Sequence, residues 1–305
     1  MFLIMALGVF LRTSKMLSPS TIKEINIFTI KFLFPALFFV QMSQMDIVSV
    51  FDGKFILATL AVLALTYLLS WLTAIVMTKD KRRKVAITQL IYVANLVVVG
   101  IPMVESALPK QYAPFSILVL FFALFFHNII PITQFEMVSG REEKQEPLYK
   151  IILRVFKNPI VASIIIAALL NMFNLFVLKM DKFPLWVFEK PLSQLGHAAS
   201  TIVFLCIGYN MKFHIEVKSI KYLAVMSLVS LVVIPVFTYG IAAAFGVDKN
   251  LALVLTIMFA SPTAPYIYNI MLPYDLELDL TQHTVVVTMI GYLITMPLIL
   301  LALGL

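Results

Sequence analysis

Long apolar runs separated by short polar loops occupy residues 1–11, 26–48, 55–78, 85–108, 113–138, 151–178, 190–211, 219–245, 249–272 and 280–304. A helix crosses the ~30 Å hydrocarbon core of a bilayer with about 20 residues, and most of these runs are near that length. Barrel strands alternate apolar and polar positions, and these runs do not. The pattern predicts an all-α membrane protein with ten transmembrane helices. The first run is the exception, because it is too short to span alone.

Two runs are interrupted. In the fourth, Asn95-Leu96-Val97-Val98-Val99-Gly100-Ile101-Pro102 puts a polar amide, a glycine and a proline where an unbroken helix favours none of them. In the ninth, Ser261-Pro262-Thr263-Ala264-Pro265 does the same. Backbone freed by such breaks is tolerated at membrane depth only where it is buried in protein or lines a cavity. Paired breaks at matching places in two halves point to the binding site of a secondary transporter.

Composition agrees with a membrane protein: 61% of residues are hydrophobic and 13% charged, against roughly half and a quarter in soluble domains. The net charge of +7 does not call for nucleic acid, because its carriers sit in loops. Loops after odd-numbered runs, counted with the adjoining ends of the runs, hold 17 of the 23 Lys and Arg residues, and the others hold 6. That bias predicts odd loops in the cytoplasm and both termini outside a plasma membrane. The basic cluster at 79–84 reads as an orientation signal beside anionic lipid. Cys206 is the one cysteine, which excludes a disulfide framework and a cysteine-based metal site.

The polar stretch 139–150 divides the chain into a first set of five helices, 1–138, and a second, 151–305. Five is odd, so the second set enters from the opposite side, and a shared fold makes the sets inverted repeats. Asn95 and Ser261 stand 166 residues apart, as do Pro131 and Pro297. The same register leaves the first helix about fifteen residues short of its partner. The expectation is that this start is internal to the helix; it has neither the basic region nor the cleavage pattern of a signal peptide.

At these residues the chain resembles the auxin efflux carrier family, which includes plant auxin carriers and bacterial permeases proposed to move malate and related acids. The likeness rests on Asn95 through Pro102, similar to the family's Asn-x-x-x-x-Gly-Ile-Pro. It rests also on Lys157-Asn158-Pro159, on Ser261-Pro262-Thr263-Ala264-Pro265, and on the Pro297 region. The resemblance implies two inverted five-helix repeats whose helices four and nine are broken and cross near the midplane. It also implies a scaffold of segments one, two, six and seven, often dimeric, and a transport domain made from the rest. The long central hydrophilic loop of many plant members is absent, in keeping with a compact bacterial protein.

A carboxylate needs hydrogen-bond donors that are not strongly desolvated when the site is empty. Backbone N–H groups at a half-helix start supply them, here expected near Pro102 and Pro265, with Gly100 and Pro262 shaping the breaks. The Asn95 amide and the Ser261 and Thr263 hydroxyls can add bonds. Each has a structural alternative: an interhelical bond for Asn95, and satisfaction of freed backbone for the hydroxyls. Asn158 matches the family stretch and equally reads as a cap beside Pro159. His127 and Asn128 lie mid-membrane in segment five, where ionisable residues are functional by default. His127 is a candidate proton relay, or a neutral histidine bonded to a neighbouring helix. Glu105, Glu136, His197 and His283 read as interfacial, and Pro35 as a kink.

The sequence therefore predicts a secondary active transporter, a permease for a small organic anion such as malate or an auxin-like acid, coupled to protons or sodium. The runner-up is a sodium-coupled symporter of the bile-acid type, then a channel or receptor. No phosphate-binding loop, zinc-protease pair or serine-hydrolase elbow occurs, so neither an enzyme nor a cofactor is expected.

Overall fold

The protein is described by a computed structural model covering residues 2–44, 52–138, 149, 153, 156–157, 159–172, 186–210, 220–265, 267–271 and 274–304. Among these residues the chain is helical, with no strand longer than one bridge. Among the described residues four helical stretches are long and apolar enough to cross a membrane: Gly53–Met77, Lys110–Phe135, Ile220–Ala244 and Leu278–Leu303. Their outward faces carry Trp71, Val236, Phe237, Ile294, Leu298 and Leu301 exposed. So much contiguous apolar surface suits lipid as solvent.

The chain forms two compact units, each drawing on both sequence halves. The first holds Met1–Phe51 and Leu153–Met211, which are segments one, two, six and seven. The second holds Asp52–Ile152 and Lys212–Leu305, which are the other six.

The first unit contains α1 (Phe2–Thr13), α2 (Pro19–Phe28), α3 (Phe34–Gln44), α8 (Pro159–Met172) and α9 (Trp186–Asn210). Ser18 caps α2 by accepting from the Thr21 N–H at 3.1 Å, and Pro19 opens the helix. The second segment thus starts seven residues before its apolar run, because Ser-Pro is a helix start whose first turns are polar. Helix α1 lies on α9. A Cβ added at Gly8 would come 2.2 Å from the Leu205 carbonyl oxygen, so glycine sets how closely these backbones approach. Ile22, Cys206 and Tyr209 form a local core, and the Tyr209 hydroxyl donates to the Leu17 carbonyl at 2.8 Å.

The second unit contains α4 (Gly53–Met77), α5 (Lys81–Tyr92), α6 (Ile101–Ala107), α7 (Ala113–Val138), α10 (Ile220–Leu228), α11 (Ile234–Ala244), α12 (Lys249–Phe259), α13 (Ile267–Met271) and α14 (Leu278–Leu303). Asp52, Asp80 and Asp248 cap α4, α5 and α12 by accepting backbone N–H bonds. Helix lengths recur along the unit. Helices α7 and α14 both have 26 residues and begin 165 apart. The stretches Gly53–Met77 and Ile220–Ala244 both have 25 and begin 167 apart. Both offsets lie within one residue of the 166 that relates the sequence breaks.

Among the described residues three π-turns interrupt the helices, at Thr29–Leu33, Leu96–Gly100 and Val229–Val233. Each is followed two residues later by a proline: Pro35, Pro102 and Pro235. Proline lacks an N–H, and its ring collides with the carbonyl four residues back; a widened turn relieves that conflict. The kink expected at Pro35 takes this form.

Loop contacts in this unit sort by end. Past the third segment, Arg82 donates to the Tyr274 and Asp275 carbonyls at 2.9 and 3.1 Å, and Arg83 pairs with Glu277 at 2.8 Å, past the ninth. At the other end, Asn250, past the eighth segment, donates to the Tyr112 hydroxyl, past the fourth, at 2.9 Å. Odd loops meet odd loops and even meet even, as helices that each cross once require.

Candidate substrate site at a helix crossing

Helix α5 ends at Tyr92, and α12 ends at Phe259. The two broken strands of chain that follow meet antiparallel. Ala94 and Thr263 form an isolated β-bridge. Beside it the Asn95 N–H donates to the Pro262 carbonyl at 2.7 Å, and the Ala264 N–H to the Val93 carbonyl at 2.9 Å. Each break thus satisfies the backbone groups that the other frees, which is what membrane depth demands. The predicted crossing of segments four and nine is this bridge.

Side chains complete the pairing. The Thr263 hydroxyl donates to the Leu90 carbonyl at 2.7 Å, in the last turn of α5. The Thr263 N–H donates to the Thr288 hydroxyl of α14 at 3.2 Å. Ser261 lies 3.4 Å from the Ile257 carbonyl, to which its hydroxyl donates. For both hydroxyls, backbone satisfaction is therefore the observed role.

Asn95 differs. It is 3% exposed and precedes Leu96–Ala107, a continuous helical stretch of π-turn and α6. Its Oδ1 accepts from the Val98 N–H at 3.3 Å, which makes it the cap of that stretch. Its Nδ2 is buried and has no hydrogen-bond partner. A buried amide donor left unpaired is unfavourable by about 1–3 kcal/mol, and a bound acceptor would relieve it. The second half of segment four therefore starts at Asn95–Leu96, with Pro102 one turn inside, rather than near Pro102. The proline reads as the end of the π-turn, not as the start of the half-helix.

Gly100 faces α12 closely. A Cβ there would lie 3.0 Å from the Met258 sulfur and 3.1 Å from the Ser261 hydroxyl, so the absent side chain lets the two broken segments touch. Pro262 is buried and supplies the carbonyl that Asn95 uses; Pro265 is partly buried and closes the bridge before α13. His127, 2% exposed, sits on α7 with its ring edge-on to Tyr92 at 4.7 Å, and its Nε2 has no partner. Asn128 is on the same helix. Asn158 lies outside the described residues.

The sequence did not single out Gln89, Gln134 or Tyr67. The Gln89 Nε2 donates to the Gln134 Oε1 at 2.7 Å, and the Gln134 Nε2 donates to the Tyr67 hydroxyl. The Tyr67 ring stands edge-on to Tyr92 at 5.4 Å. The signal available was glutamine inside an apolar segment, at 89 and 134.

Two broken helices that cross, with their backbone groups mutually paired and a buried donor left over, are the arrangement of a membrane transporter's binding region. The chain belongs to the auxin efflux carrier family of membrane transport proteins: the family model described as "Membrane transport protein" matches residues 1–300. It is a family of transporters and not of enzymes. No curated protein matches the chain significantly.

Proposed function

We propose that this protein is a secondary active transporter of a small organic anion, such as malate or another carboxylate, working by alternating access across the plasma membrane. The observation that carries the reading is the unpartnered Nδ2 of Asn95 at the crossing. A carboxylate there accepts from the amide and faces the positive end of the Leu96–Ala107 stretch. Neutral donors suit a site that empties each cycle, because no buried fixed charge is left uncompensated.

Proton coupling is favoured over sodium by His127. Among the buried side chains described it is the one histidine, and its unpaired Nε2 is an atom that can take up and pass on a proton. Asn128, on the next position of α7, is proposed as its companion in the relay. The test is uptake of labelled L-malate into proteoliposomes with and without an imposed pH gradient. Saturable, gradient-driven uptake whose pH dependence is lost in His127→Gln supports this account. Uptake driven by a sodium gradient instead would favour the bile-acid type of symport, and non-saturating flux would favour a channel.

A further inference from the structure

Gln89 lies in the last turn of α5, where its carbonyl accepts from the Val93 N–H at 3.0 Å as the chain enters the crossing. Its side chain is 0% exposed. The Nε2 is committed to Gln134, but the Oε1 is buried with no partner. Gln134 is itself committed to Tyr67, so the amide chain has a fixed direction and leaves one group over at the Gln89 end. Tyr92, one turn along α5 from Gln89, brings the ring of His127 against the same two helices, and the His127 Nε2 is likewise buried and unpaired. Asn95, three residues further, has the unpaired Nδ2.

Three helical steps of about 1.5 Å lead from Gln89 to Tyr92 and three extended steps of about 3.3 Å lead on to Asn95, so the two residues are at most on the order of 14 Å apart along the chain. Both side chains are long enough to reduce that gap. Three unpaired buried polar atoms on and beside the end of α5, none charged, are expensive in an apolar setting unless something pairs with them. They differ in kind. The Asn95 end offers a donor; the Gln89 end offers an acceptor, which repels a carboxylate and pairs with a hydroxyl.

We propose that Gln89, oriented by Gln134 and Tyr67, forms a second subsite that takes a hydroxyl of the substrate while Asn95 takes a carboxylate, so that the carrier selects hydroxy acids over the same acids without the hydroxyl. This rests on the carrier reading above. A site built to hydrogen-bond a hydroxyl rejects the analogue that lacks it, because the protein's buried group is then left unpaired.

The experiment is equilibrium binding to the purified full-length protein of two matched pairs, L-malate with succinate and L-lactate with propionate. The wild type is expected to bind the hydroxy member at least tenfold more tightly in at least one pair. In Gln89→Met the ratio should fall to about one. Gln134→Met, which removes the group that orients Gln89, should lower the same ratio. A melting curve on each variant separates loss of the subsite from loss of the fold. A wild-type ratio near one with measurable binding, or a ratio that survives both substitutions, would overturn the subsite and leave the carrier standing. Binding of none of the four acids would withdraw the carrier reading and the subsite together.

Discussion

Ala94 and Thr263, 169 residues apart in the chain, face each other in a single antiparallel bridge between two helices that both stop in the middle of the second unit. A lone bridge is a weak structure in water. Here it is flanked by two backbone hydrogen bonds and one threonine hydroxyl, so the freed groups of one break are matched to those of the other. The pairing explains how proline-rich, polar sequence is held at membrane depth.

Thr263 is expected to matter for stability through its hydroxyl rather than its shape. Thr263→Val keeps the volume but leaves the buried Leu90 carbonyl without its donor, which is unfavourable by about 1–3 kcal/mol. Thr263→Ser retains the oxygen. Thermal unfolding in detergent should show the valine variant clearly lowered and the serine variant close to wild type.

Two glycines should respond in opposite directions to the same change. In Gly8→Ala the new Cβ meets the Leu205 carbonyl oxygen at 2.2 Å and the Tyr209 nitrogen at 2.7 Å, both backbone atoms that cannot swing aside. Overpacking of this sort destabilises by about 1–3 kcal/mol. At Gly240, inside α11, nothing lies within 4 Å of an added Cβ, so Gly240→Ala should gain up to ~1 kcal/mol of helix propensity. Melting temperatures of the two variants, measured side by side, check the pair.

The sorting of loop contacts predicts accessibility. The single cysteine, Cys206, is buried, so introduced cysteines can be read against a low background. Lys249→Cys and Asp279→Cys both replace exposed residues at opposite ends of the second unit. A membrane-impermeant thiol reagent added to intact cells should label Lys249→Cys and spare Asp279→Cys. Inverted vesicles should reverse the pattern.

Much of the fold was legible because its signals are local. Gly100, Pro102, Pro262 and Pro265 mark the breaks, and unbroken apolar runs mark helices such as α7, whose ends match the run 113–138. What stayed hidden depends on partners distant in sequence. The sequence placed the half-helix start at Pro102, since a proline opens a helix more visibly than an asparagine caps one; the π-turn at Leu96–Gly100 has no such mark. It left the roles of Ser261 and Thr263 open between donor and brace, because only the Ile257 and Leu90 carbonyls decide it. Gln89 pairs with a residue 45 positions away and Arg83 with one 194 away, and neither spacing leaves a trace in one sequence. The two compact units cut across the two sequence halves; the run pattern alone marks only the halves, whereas the family resemblance implies this grouping of segments one, two, six and seven against the rest.

The account centres on Asn95 as both cap and anion donor, and the most direct test separates the two roles. Asn95→Ser keeps a capping oxygen while removing the buried, unpartnered Nδ2; Asn95→Ala removes both. Uptake of labelled L-malate into proteoliposomes should be lost in both variants, while the melting temperature falls only in the alanine variant, by the equivalent of about 0.5–2 kcal/mol. Full saturable uptake by well-folded Asn95→Ser would contradict the placement of the anion at the crossing.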